Sequence, residues 1–352
     1  MLYLRMDLPD HDNLPVHLLA GCFNNTSATY KFYWFLALLE RVEQGETKIL
    51  KRDLFSAMVA HAWYTVNYFK VSFGNQDKLQ DAIHQIKNLE GLTIDAGRNL
   101  IFQQLATTDN KATLRELRYF NSEVPHRFLS PWFRAADAKV AYTASQRFEN
   151  HCLYALYPEH VEINPAWVIY LQRNVRILKN FCYWNLAVYL QSKNPSVPDI
   201  PNKLIKLPVR KALSEQRKFW DIVIGELGSV DCIYTNKRLT IGGYAVEHFL
   251  PYAFVSHDLM WNLIPADRSF NSSKSDKLPP LEQYFEPYFK LQESALQIVQ
   301  QIAPKHKFLE DYLTIVPDIH LFERQRVLEQ LQPLATIAKN NGFEILLPYI
   351  DV

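Results

Sequence analysis

Prolines at 195, 198, 201 and 208 fall within 14 positions of one another. Each lacks an amide donor, and its ring crowds the preceding turn, so no regular helix is expected to run through them. SKNPSVPDIPNKLIKLPVRK is therefore expected to be a linker or an extended strap. Before it the pattern is helical. After it comes DCIYTNKRLTIGGYAVEHF, with β-branched and aromatic residues, turn signals at Thr235-Asn236-Lys237 and Gly242-Gly243, and no helical period. Beyond Pro280 the helical pattern returns to about Asn341. The expected fold class is mainly α with a small α+β module. Three regions are expected: a helical domain over 1–225 with a basic proline-rich strap at 194–218, the module over 226–282, and a helical C-terminal segment over 283–352.

Within the helical part, Thr26 or Ser27 is placed to cap a helix from Tyr30 to Val42. Phe32, Tyr33, Trp34, Phe35, Leu36, Leu38 and Leu39 make it apolar on nearly every face, which implies a central core helix. Asp53 is placed to cap the next helix, and Gln76 to Leu89 has the charge-rich pattern of a more exposed one. A further helical stretch is expected from Leu114 to Asn121. A pair of basic and aromatic helices is expected around Trp167 to Leu190.

Composition narrows the class. Hydrophobic residues make up 48% and aromatics 13% of the 352 residues, which excludes wholesale disorder. Lysine and arginine total 38 against 37 acids, so no global charge advertises nucleic acid, although a local patch can serve. Only 10 glycines argue against a glycine-rich nucleotide fold. No run reaches the roughly 18 apolar residues of a membrane span, and MLYLRMDLPDHDNLP has no apolar signal core. Cysteines 22, 152, 182 and 232 form no CxxC pair, so reduced, buried thiols are expected. A soluble cytoplasmic protein without membrane contact is the expectation.

The informative stretch runs from Glu247-His248 through Asn262 to Asn271 and Lys274. A carboxylate and an imidazole are adjacent at a strand end, with one asparagine 14 residues after the histidine and another 23 after it. Strand side chains alternate, so the pair converges on one cleft only where the strand stops. Glu247 offers hard oxygen to a magnesium-like ion, and the Asn271 carbonyl oxygen offers a second ligand. Histidine is the side chain whose unperturbed charge change falls nearest neutral pH, so His248 suits a general base on water.

These residues resemble the HNH nuclease family, whose ββα-metal fold orders such groups as strand, loop, strand and helix. The pattern is most similar to the HNH domain of RNA-guided CRISPR effector nucleases, through the two spacings and the ending NSSKSDKLP. The resemblance covers roughly 230–280. It implies a metal-dependent endonuclease acting on DNA with Mg2+ (or Mn2+). Glu247 and Asn271 would be the metal ligands, His248 the general base, and Asn262 the residue bracing the loop that holds the base. The family usually has aspartate or histidine at the position of Glu247, whose extra methylene can move the ion by about 1 Å, a displacement that can cost 100-fold in rate. Cys232 sits where many relatives begin a zinc-binding pair; without partners it reads as core. Stand-alone proteins of this kind resemble bacterial restriction or phage-defence effectors, which implies possible protein partners of a defence system.

Phosphate contacts are expected from Arg268 and Lys274 beside the motif, and from Lys203, Lys206, Arg210 and Lys211 in the strap. From Pro201 to Lys218 six cations face only Glu215; a solvated charged strap is the competing reading. Arg173, Arg176 and Lys179 can form a basic helical stripe. His61, His84 and His126 lack ligand spacing. Two alternatives stand beside the DNA nuclease: an RNA-cleaving toxin, since nothing in the motif reads the 2′-hydroxyl, and a catalytically inactive nucleic-acid-binding scaffold, which Glu247 keeps open.

Overall fold

The computed structural model of the protein describes residues 7–133, 137–205 and 212–347. It divides into two compact units, one of residues 1–195 and 200–207 and the other of 196–199 and 208–352.

The first unit is built on the helix Tyr30–Glu43, apolar all round and buried along nearly its whole length. It packs between the equally buried helix Lys51–Asn67 and the long helix Pro165–Lys193. Its tryptophan is anchored: Trp34 Nε1 donates to Tyr154 Oη at 3.0 Å, and Tyr154 Oη donates to the Pro125 carbonyl at 2.7 Å. The helix begins after Thr29, later than Thr26 or Ser27. Asp77 explains the start. Its carboxylate accepts from Thr29 N at 2.6 Å and caps the helix Lys78–Glu90 by accepting from Leu79 N at 2.9 Å, so one buried side chain ties two helix starts together.

Several sequence expectations are corrected here. Asp53 lies in the first turn of the Lys51–Asn67 helix and does not cap it. The expected pair of helices around Trp167 to Leu190 is one helix of 29 residues, because no breaker interrupts it after Pro165. The unit also holds a small antiparallel sheet in the order β1-β3-β2, with β1 Lys48–Leu50, β2 Tyr154–Leu156 and β3 His160–Ile163. The strap contains a short helix, Ile200–Ile205, which Pro201 tolerates because a first-turn amide has no helical acceptor.

The second unit carries the short strands. β4 Val230–Asp231 pairs with β5 Arg238–Leu239, and β6 Ala245–His248 pairs with β7 Leu263–Ala266, both antiparallel. The helix Arg268–Lys274 follows β7. So few residues cannot close a core alone, and flanking helices complete it. From Ser214–Leu227, Asp221 accepts from Tyr244 Oη at 2.8 Å. From Leu281–Ile302, Tyr288 stacks on Phe249 with centroids 4.1 Å apart, and Gln292 donates to the Leu263 carbonyl at 2.8 Å. The boundaries expected near 225 and 282 both fall inside this unit, since its core is shared across them. Among the described residues, no helix is long and apolar enough to cross a membrane.

Candidate active site

β6 ends at His248, and the chain returns to β7 through a loop closed by Asn262. The fully buried amide of Asn262 accepts from Leu250 N at 2.8 Å and donates to Leu250 O at 2.9 Å, while Phe249 N donates to the Asn262 carbonyl at 2.7 Å. A side-chain amide, with one donor and one acceptor side, suits this two-way bridge. The loop is thereby pinned two residues beyond His248.

Glu247 and His248 point to different partners, as alternation along a strand requires. Glu247, 3% exposed, accepts from Lys274 Nζ at 2.7 Å through Oε1. The same ammonium donates to the His248 carbonyl at 2.9 Å. His248, 4% exposed, places Nε2 2.9 Å from Asp258 Oδ1 and meets the Tyr252 ring edge-on. Burial, and after it the Glu247 charge, push the Tyr234 phenol well above its ordinary range.

Asp267 starts the Arg268–Lys274 helix by accepting from Ser269 N at 3.1 Å and Phe270 N at 3.0 Å. Hydrogen bonds from Ser269 and Phe270 hold its carboxyl at about 2. Lys274, one turn after Asn271 on this helix, reaches Glu247, so Asn271 is placed on the same helical face. The half-buried side-chain amide of Asn271 takes part in no hydrogen bond among the described residues.

Residues 232–280 match the HNH endonuclease family. The matched segment lies within the second unit. Neither a curated protein nor a solved structure matches the chain. The match supports nuclease chemistry for the HNH module and leaves the helical unit without a counterpart.

HNH endonucleases generally use divalent ions, and the donors here fit one in kind: a carboxylate oxygen from Glu247 and an amide oxygen from Asn271, the hard ligands magnesium and manganese take. The Lys274 ammonium already balances the Glu247 charge. Among the described residues, no three His, Cys, Asp or Glu side chains gather as a metal-binding group. Cys232 is buried and free, and its sulfur accepts from Asp267 N at 3.4 Å, a packing role.

The expected phosphate contacts are partly corrected. Lys274 is 0% exposed and held by Glu247, so it offers no surface charge. Lys203 is 1% exposed, in the first unit. Arg268 is exposed, and its guanidinium donates to the carbonyls of Gly242 and Tyr244. Lys206, Arg210 and Lys211 lie outside the described residues. Of the basic stripe, Arg173 and Arg176 are exposed while Lys179 pairs with Glu43. Asp258 was invisible to the motif, because nothing in its spacing marks it as the partner of His248.

Proposed function

We propose that the HNH module hydrolyses phosphodiester bonds of DNA, with Glu247 and Asn271 holding a divalent ion and His248 acting as general base. The supporting observation is the meeting of Glu247, His248 and the Asn271-bearing helix at one strand end, where Asn262 pins the loop that follows. His248 takes a proton from water, the water oxygen attacks phosphorus, and the bond to the 3′ oxygen breaks. That oxygen takes a proton from solvent, leaving a 5′-phosphate and a 3′-hydroxyl. A bound magnesium or manganese ion would supply Lewis-acid stabilisation of the charge that develops on the phosphate and leaving oxygen.

The closer likeness to CRISPR effector HNH domains rests on the 14- and 23-residue spacings and on NSSKSDKLP. A role as a bacterial restriction or phage-defence effector, with protein partners from such a system, extends that likeness. A second reading is favoured by one observation, the buried Lys274–Glu247 pair: a carboxylate neutralised within the protein is what a catalytically inactive scaffold would have. Cleavage of matched DNA and RNA duplexes by the purified protein, with magnesium, manganese or EDTA, decides among these readings. Metal-dependent cleavage confined to DNA is expected. Cleavage of RNA alone selects the toxin reading, and no cleavage of either selects the scaffold.

A further inference from the structure

We infer that Asp258 is a positioning residue for His248, holding the ring proton on Nε2 so that Nδ1 is the nitrogen that accepts the proton of the attacking water. This rests on the reading of His248 as general base and names which atom performs that role.

A carboxylate only accepts hydrogen bonds, so a neutral imidazole with Nε2 2.9 Å from Asp258 Oδ1 must carry its hydrogen on that nitrogen. Its remaining lone pair then lies on Nδ1. Moving the hydrogen to Nδ1 would set the Nε2 lone pair against the carboxylate, and a half-turn of the ring would put Cε1 where Nε2 now donates, so one orientation is selected as well as one tautomer. Tyr252 borders the ring edge-on with centroids 5.3 Å apart, which limits its rotation within the buried pocket.

The loop carrying Asp258 is itself held from several sides. Ser256 adopts a left-handed conformation at φ 60° to end the turn Tyr252–Val255. Leu259 N donates to His257 Nδ1 at 3.4 Å, and Met260 N donates to Asp311 Oδ2 at 2.9 Å. Trp261 Nε1 donates to Thr314 Oγ1 at 2.9 Å. Together with the Asn262 bridge to Leu250, these contacts fix both ends of the 248–262 loop, so the carboxylate approaches the ring from a set direction. A base nitrogen must sit within about 0.5 Å of its productive position, a tolerance that such supporting contacts provide.

The test uses the full chain labelled with nitrogen-15 at histidine and read by two-bond proton–nitrogen correlation in alkaline buffer, where imidazole is neutral. The His248 signal is identified by its loss in His248→Gln. Wild-type protein is expected to show the Nε2–H form. In Asp258→Asn the amide can donate to Nε2, and the Nδ1–H form is expected to appear while the melting temperature holds. Its kcat for cleavage is expected to fall about 100-fold with KM for DNA unchanged. A wild-type His248 predominantly in the Nδ1–H form overturns the inference. So does an Asp258→Asn protein whose tautomer and kcat both match wild type. Should Asp258→Asn unfold, the wild-type spectrum alone still decides. That spectrum is independent of cleavage, so a protein that fails to cut DNA refutes the proposed function, and with it the role of Nδ1 as base, while the spectrum still decides whether Asp258 sets the tautomer.

Discussion

Lys274 Nζ lies 2.7 Å from Glu247 Oε1 in an ion pair withdrawn from solvent, and the same ammonium holds the carbonyl of His248. The helix after β7 is thereby tied to both motif residues at the end of β6. Removing one partner of a buried pair costs about 3–5 kcal/mol, because the other charge stays buried alone. Lys274→Met is therefore expected to unfold at lower temperature than wild type. It also frees Glu247, so manganese should raise the melting temperature of this variant more than that of wild type. Thermal unfolding with and without the ion measures both effects. An equal response in the two proteins would mean that Glu247 does not hold the ion.

Glu247 itself predicts a metal preference. Magnesium demands near-octahedral geometry at about 2.0–2.1 Å, and a carboxylate on a longer arm meets it less readily than a site that tolerates irregular ligands. Wild-type cleavage should be faster with manganese than with magnesium. Glu247→Asp should equal or exceed wild type in magnesium, and Glu247→Gln should lose metal affinity and cleavage together. Cleavage rate against metal concentration for the three proteins checks this. An unchanged midpoint in Glu247→Gln would place the metal elsewhere.

The Asp267 cap predicts an acid limit for the helix bearing Asn271 and Lys274. Its hydrogen bonds to Ser269 and Phe270 lower its carboxyl from 3.8 to about 2. A depressed folded-state pKa means that the capping contribution is complete above pH of about 4 and is lost as pH falls toward 2. Asp267→Ala, which loses about 1 kcal/mol of capping, should narrow its stability difference from wild type across that window. Urea unfolding at several pH values reads it. A constant difference down to pH 2 would show that the cap does not titrate there.

Different physical ranges separate what the sequence disclosed from what it concealed. The Tyr30–Glu43 helix was legible because a segment apolar on every face has only the core to occupy. The Glu247, His248, Asn262 and Asn271 order was legible because the spacings are set locally by one strand, one loop and one short helix. Asp258 and the burial of Lys274 were not, since both depend on how the loop and helix fold back onto β6. The β1-β3-β2 sheet escaped because strands of three or four residues are too short to express a two-residue period. The boundaries at 225 and 282 follow a different signal from the compact units. Local character changes near 226, whereas the core that Tyr288 and Gln292 complete extends across the change.

The central claim, that His248 is the base of a nuclease, is tested most directly by nicking of supercoiled plasmid by wild-type protein and His248→Ala. The two are compared at equal concentration with magnesium or manganese, after matching melting temperature and DNA binding. A general base contributes about 10²–10⁴-fold, so the wild type should nick and the variant should fall by at least about 100-fold with its binding intact. Equal nicking rates for the two proteins would contradict the assignment.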